Sequence, residues 1–154
     1  MLYRSEDGGV RAVVQRVREA SVTIGDEVVA ASAPGVAVLV GIAVADTADA
    51  AVRLASKVAR LRIFENDSGR FDCSLLDVQG EALVVSQFTL IAETRKGNRP
   101  SFGDAAAPEL ARPLYEAFCG ALEAEGVRVA RGVFGARMEV SLVNDGPVTI
   151  VLDV

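Results

Sequence analysis

The chain of 154 residues contains no histidine. This absence excludes a Ser-His-Asp or Cys-His catalytic triad, a His-Glu-x-x-His metal site and the usual imidazole general base. The two cysteines, Cys73 and Cys119, have no Cys-x-x-Cys spacing, so the sequence indicates neither a zinc knuckle nor a disulfide scaffold. Any chemistry must therefore use hydroxyls, backbone amides or groups that a substrate brings.

Long apolar runs are also missing. None approaches the roughly 18–20 residues of a membrane span. The longest, residues 36–44, contains Gly41 and predicts a buried strand. The start of the chain carries Arg4, Glu6 and Asp7 and lacks the apolar core of a secretory signal. We therefore expect a cytoplasmic protein with no membrane partner.

The net charge is −5, from 16 basic and 21 acidic side chains. A protein that contacts many phosphates carries a basic surface, so this negative net charge counts against an extensive nucleic-acid footprint. A local footprint stays open, because Arg95, Lys96 and Arg99 lie close together in the chain.

The apolar pattern predicts one α+β domain, with a mostly antiparallel curved sheet or partly open β-barrel and two packed helices. The first helix follows a cap at Asp46-Thr47, and the second ends at Gly126 and contains an awkward Pro113. Residues 92–107 are polar and predict a long functional loop. Strands are expected at residues 11–24, 27–31, 36–44, 63–64, 74–78, 82–88, 127–130, 137–143 and 148–154.

Two separated motifs each follow an apolar, β-branched run. The first is Ser86-Gln87-Phe88-Thr89-Leu90, and the second is Asn144-Asp145-Gly146-Pro147-Val148-Thr149. From the residues alone, the first is a strand end with satisfied hydroxyls. In the second, Asp-Gly predicts a hairpin turn, and base rates favour a trans bond before proline.

Together these motifs resemble those of the D-aminoacyl-tRNA deacylases, hydrolases that free tRNA from wrongly attached D-amino acids. The resemblance includes residues 11–17 and 20–24 and resumes at 62–64 and 99–102. It implies a deacylase domain over residues 11–154. Residues 1–10 form an N-terminal extension outside the resemblance, and whether residues 1–9 are native or an artefact of the assigned start stays open.

The resemblance implies that the catalytic wall consists of Ser86, Gln87, Phe88 and Thr89. Backbone amides around Gln87 and Phe88 would stabilise the oxyanion. Thr89 is either the nucleophile or a positioning group. Because no convincing base accompanies it, we favour attack by water, assisted by the vicinal hydroxyl of the substrate's terminal ribose. No metal and no cofactor are expected.

The resemblance also implies a chirality filter at Gly146 and Pro147. A cis bond there would direct two backbone carbonyls into the active site of the partner subunit, so we expect a homodimer with composite sites. Arg16 would support this loop through its donor fork, and the alternative is an exposed strand arginine. Met138 either lines the aminoacyl pocket or packs in the core. Contacts with tRNA are expected from Arg95, Lys96 and Arg99.

Two other functions compete with this interpretation. The fused editing domain of an archaeal threonyl-tRNA synthetase shares the architecture, but we expect no synthetase body because the chain ends at Val154. A non-catalytic RNA-binding module would explain the cationic cluster. It would leave the two motifs without a purpose.

Overall fold

The structure is a computed structural model and describes residues 10–154. The predicted α+β class is confirmed, and eight strands, two α-helices and one 3-10 turn are present in this part of the chain. In chain order they are β1 (Arg11–Ile24), β2 (Glu27–Ser32), β3 (Gly35–Gly41), α1 (Ala48–Arg60), β4 (Phe64–Glu65), β5 (Phe71–Cys73), β6 (Glu81–Ser86), the 3-10 turn (Phe88–Leu90), α2 (Pro108–Ala124), β7 (Arg128–Arg131) and β8 (Glu139–Asp153). Of the predicted N-terminal extension, only Val10 lies within the described residues.

Six strands form one curved, barrel-like sheet around β1. The strand order is β2-β1-β3-β6-β7, and β8 pairs along the other edge of β1. The three partners of β1 are antiparallel to it, whereas β6 is parallel to both β3 and β7. The first half of β1 pairs with β3 and its second half with β2, and this exchange of neighbours bends the sheet. The remaining strands, β4 and β5, form a separate hairpin.

The two helices pack on one face of the sheet. Thr47 caps α1 as predicted, because its side chain accepts a hydrogen bond from the Ala50 amide. The end of α2 at Gly126 is also confirmed, with the Val127 amide bonded to the Leu122 carbonyl. The main core lies between these helices and the alternating buried residues of β1, β3 and β6. A second cluster lies on the opposite face of the sheet.

Pro113 lies inside α2, which begins at Pro108. Pro113 allows either a helix start near Arg112 or irregular first turns, and the first of these two predictions is therefore wrong. The missing amide of Pro113 falls in the second turn, and the helix continues through it. Neither α1 nor α2 combines the length and the apolar character of a membrane-spanning helix.

Two strand predictions before the first motif need correction. Residues 75–79 form consecutive turns rather than a strand. The reason is local, because the Ser74 amide donates to the Asp77 carboxylate and the Asp77 amide donates to the Ser74 hydroxyl. The strand predicted for residues 82–88 ends at Ser86, and the chain then enters the 3-10 turn.

The predicted hairpin at Asp145-Gly146 is wrong. Strand β8 continues through this pair and is antiparallel to β1 on both sides of it. The register passes from the pair Gln15–Thr149 to the pair Val17–Asn144, so residues 145–148 bulge out of the ladder. The second motif therefore forms a bulge in one long strand, opposite Arg16, instead of reversing the chain.

Candidate active site

A cavity of about 590 Å³ opens at the carboxyl end of β6. Strand β6 is central and buried, which fixes the position of the residues that follow it. The polar side chains of the lining come from Ser86 and Gln87, and the rest of the wall is largely apolar. That wall consists of Ile42, Val85, Phe88, Phe102, Ala105, Ala106, Pro108, Ala111, Phe134, Gly135, Ala136, Met138 and Val140.

Two backbone amides that follow Ser86 have no hydrogen-bond partner among residues 10–154. The Gln87 amide donates to the Val40 carbonyl at 2.8 Å, which extends the ladder between β6 and β3 by one residue. Within the 3-10 turn, the Leu90 and Ile91 amides donate back to Gln87 and Phe88. Among the described residues, no hydrogen bond engages the amides of Phe88 and Thr89. Oxyanion stabilisation is therefore available from Phe88 and Thr89, and not from Gln87.

Thr89 lies at the outer side of this turn. Its side chain is exposed and does not line the cavity. The hydroxyl oxygen accepts a hydrogen bond from the Gln87 carboxamide, which is a donor in this contact. No carboxylate or amine contacts the Thr89 hydroxyl within the described chain, so it has no activating base.

The loop predicted between residues 92 and 107 forms part of the cavity wall. Its second half is fixed to the end of β3, because the Ala106 amide donates to Ile42 at 2.9 Å and the Val44 amide donates to Asp104 at 3.0 Å. This anchorage places the ring of Phe102 edge-on against Phe88, with centroids 5.1 Å apart. Phe88 remains 56% exposed at the mouth of the cavity.

The first half of the same loop presents the cationic cluster. Glu93 and Ser101 exchange two backbone hydrogen bonds, of 2.7 and 2.9 Å, and close a narrow tip between them. Every residue from 94 to 100 is exposed. The tip carries Arg95, Lys96 and Arg99, as the sequence predicts, and it joins directly to the cavity wall at Phe102.

Arg16 supports the bulge of β8. It is only 7% exposed, so the alternative of an exposed strand arginine is wrong. Its Nε donates to the Asp145 carbonyl and its Nη1 to the Ile63 carbonyl, both at 2.8 Å. The Asn144 side chain closes the bulge by accepting from the Val148 amide at 2.8 Å.

The peptide bond between Gly146 and Pro147 is cis. Gly146 has a φ of +147°, and a Cβ there would lie 2.7 Å from the Val148 side chain and 3.2 Å from Arg16 Nη2. Glycine is therefore required by both conformation and space. Neither Gly146 nor Pro147 lines the cavity, so one chain does not bring the two motifs together in one pocket.

Met138 lies between the cavity and the core. It lines the cavity and also packs against the second core cluster. A Cβ at Gly132 would lie 3.0 Å from the Met138 sulfur, so this glycine makes room for the thioether. Phe102 and Phe134 are wall residues for which no local sequence pattern provided a signal. The glycines around Phe134, one of them Gly135 with φ +77°, were the available sign of a shaped turn.

Titratable groups are scarce around the cavity. Cys119 is fully buried on α2, as predicted, and burial raises the pKa of its thiol to about 11. Tyr115 donates to the Val84 carbonyl, and burial raises the pKa of its phenol. Within residues 10–154, no three Cys, Asp or Glu side chains lie together as a metal site.

The fold and the cavity define a single-domain α+β protein whose polar groups at the site are a hydroxyl, a carboxamide and backbone amides. Residues 13–153 match the family model described as D-Tyr-tRNA(Tyr) deacylase. A protein of Roseiflexus sp. (strain RS-1) named D-aminoacyl-tRNA deacylase is 62% identical over 144 residues, 94% of this chain and 93% of that one. Its namesake from Thermus aquaticus is 57% identical over 144 residues, 94% of this chain and 95% of that one.

The chain thus belongs to the D-Tyr-tRNA(Tyr) deacylase family, and it is an enzyme of this deacylase class. Among solved structures, the c-Myc DNA Unwinding Element Binding Protein superposes with a TM-score of 0.88 at 43% identity, covering 94% of this chain and 98% of that one. A probable eukaryotic D-amino acid tRNA deacylase gives 0.83 at 21% identity, covering 94% and 99%, and this likeness concerns the fold alone.

Proposed function

We propose that this protein hydrolyses the ester bond of D-aminoacyl-tRNA and releases free tRNA and the D-amino acid. Beside family membership, the observation that carries the proposal is the pair of unengaged amides at Phe88 and Thr89. They adjoin a cavity whose nearest side chains offer no nucleophile with a base. Such a site suits an activated ester, because the reaction then needs charge stabilisation more than a strong nucleophile.

The reaction follows from these groups. The oxygen of a water molecule adds to the ester carbonyl carbon, and the carbonyl oxygen becomes an oxyanion held by the Phe88 and Thr89 amides. The bond from carbon to the ribose oxygen then breaks. The proton lost by the water passes to that ribose oxygen, relayed by the vicinal hydroxyl of the same ribose. The Thr89 hydroxyl positions the substrate and forms no covalent bond.

Chiral selection is assigned to the bulge at Gly146 and Pro147, acting across a homodimer. The bulge is held by Arg16 and Asn144, so its carbonyls form a rigid surface that accepts bonds from an α-amino group. A composite site is supported by the absence of the bulge from the cavity of its own chain. It is also supported by β8, which pairs only with β1 in the described chain and exposes Val140, Val143 and Val151. Sedimentation that finds only monomers would contradict it.

The tip between residues 94 and 100 is proposed to contact phosphates near the 3′ end of the tRNA. Three cations on one exposed tip fit a short footprint, whereas the net charge of −5 opposes a long one. A non-catalytic RNA-binding module would use the same tip but gives no role to the cavity. We place the enzyme in the cytoplasm, where its substrate is found.

The proposal is tested by incubating the purified protein with D-tyrosyl-tRNA and L-tyrosyl-tRNA. We expect rapid release of D-tyrosine and little loss of the L-ester. Binding of tRNA without hydrolysis of either ester would favour the RNA-binding module instead.

Activity is expected to survive EDTA, because no three Cys, Asp or Glu side chains lie together within residues 10–154 and the proposed mechanism uses no metal. The measurement is a D-tyrosyl-tRNA time course with and without the chelator. Loss of activity that a divalent ion restores would overturn the metal-free mechanism. In a parallel control assay the EDTA is already saturated with magnesium, so that the chelator is present without a change in tRNA folding.

Replacing Thr89 with alanine is expected to reduce kcat about 2- to 10-fold, the contribution of one hydrogen bond. The Thr89 amide remains in the variant, so most of the stabilisation persists. Thr89→Ser is the matched control and is expected to retain the wild-type rate. An acyl-enzyme trapped on Thr89 would show instead that the hydroxyl is the nucleophile.

A further inference from the structure

Arg11 is a buried arginine next to the 3-10 turn at Phe88–Leu90. It begins β1 and is only 8% exposed, although it carries a charge. Its Nε donates to the Asp153 carboxylate at 2.8 Å, at the end of β8. Its Nη1 donates to the carbonyl of Leu90 at 3.1 Å. The Arg11 guanidinium therefore connects the paired ends of β1 and β8 to Leu90, the last residue of the 3-10 turn.

Gly41 contacts the same 3-10 turn from strand β3. It pairs directly with Arg11 between β1 and β3. A Cβ on Gly41 would lie 2.9 Å from Leu90 Cβ and 3.1 Å from the Gln87 carbonyl oxygen, so the turn lies against bare backbone. The turn is thus held by contact at Gly41 and by a hydrogen bond from Arg11.

We propose that Arg11 is a positioning residue for deacylation, which fixes the 3-10 turn so that the Phe88 and Thr89 amides point at the developing oxyanion. The inference rests on the function proposed above. The carbonyls at the end of a helical turn lack internal partners and carry partial negative charge, so a guanidinium there stabilises the turn. Asp153 compensates the buried charge and sets the direction of the donor fork.

The test compares Arg11→Met with wild type in single-turnover and steady-state hydrolysis of D-tyrosyl-tRNA. Because the turn acts on the transition state, we expect kcat to fall about 10-fold or more while KM changes little. Arg11→Lys restores the charge without the fork, and we expect an intermediate kcat. Asp153→Asn keeps an acceptor for Nε but removes the compensating charge, so we expect its kcat to lie between those of Arg11→Met and wild type.

Gly41→Ala and Val58→Ala serve as a matched pair. In Gly41→Ala, the added Cβ would displace the turn from the side of β3, so we expect the same loss of kcat. The second removes methyl groups from the buried face of α1 and controls for general destabilisation. A kcat in Arg11→Met no lower than that of Val58→Ala, at a temperature where both are folded, would overturn the proposal.

Amide hydrogen exchange gives a readout independent of activity. The Ile91 amide bonds to Phe88 inside the turn, whereas the Gln87 amide bonds to Val40 outside it. In Arg11→Met we expect faster exchange at Ile91 and unchanged exchange at Gln87. Equal protection of Ile91 in both proteins would contradict the positioning role. A wild-type protein that hydrolyses no D-tyrosyl-tRNA would contradict the proposed function, while the exchange result still decides whether Arg11 holds the turn.

Discussion

Replacing Arg16 with methionine is expected to lower the free energy of unfolding by about 3 kcal/mol or more, since a hydrogen bond from a charged donor contributes about 1.5–3 kcal/mol. This side chain makes two, to the Asp145 and Ile63 carbonyls, and it is almost fully buried. Methionine fills much of the space but leaves both carbonyls without a donor. Chemical denaturation followed by circular dichroism measures the loss.

The same substitution is expected to lower D-tyrosyl-tRNA hydrolysis by about 100-fold, because the bulge that carries Gly146 and Pro147 loses its support. Arg18→Met is the matched control, since Arg18 lies on the same strand but is exposed. We expect that variant to keep both stability and activity. If the bulge functions without Arg16, the selectivity between D- and L-tyrosyl-tRNA will be unchanged in Arg16→Met. That result would contradict the role assigned to Arg16.

Local signals in the sequence were sufficient wherever one segment determines its own structure. The cap at Thr47 and the helix end at Gly126 depend on side chains and carbonyls within a few residues, and both were predicted correctly. Asp145-Gly146 shows the limit of this reasoning. The pair favours a reversal, but both flanking segments pair with β1, and this partner lies more than a hundred residues away.

The 3-10 turn at Phe88–Leu90 shows the same limit at the candidate site. The motif placed Ser86 and Gln87 in the cavity wall, but the fate of each amide depends on the strand beside it. Val40, on β3, accepts from the Gln87 amide, and this contact moves the available donors to Phe88 and Thr89. No periodicity in the motif could have predicted a hydrogen bond donated to a carbonyl of the neighbouring strand.

Glycyl-tRNA is expected to be hydrolysed at a rate much nearer to that of D-alanyl-tRNA than to that of L-alanyl-tRNA. In the proposed filter, a rigid surface of backbone carbonyls leaves no space for the side chain of an L-amino acid, and glycine has no side chain to exclude. Forcing one additional methyl group into a packed site costs about 1–3 kcal/mol, which is about 5- to 150-fold in rate. The measurement is a deacylation time course of the three esters on one tRNA body.

The shared tRNA body is the control, because it removes any difference in how the 3′ end is held. Under the proposed filter, glycyl-tRNA still presents an α-amino group to the carbonyls of Gly146 and Pro147, so we expect its binding to be retained without the steric penalty. If the glycyl ester is spared as fully as the L-alanyl ester, selection is not by exclusion. The enzyme would then need a surface that binds the methyl group of D-alanine, and the apolar wall around Met138 and Phe134 would be the place to mutate first.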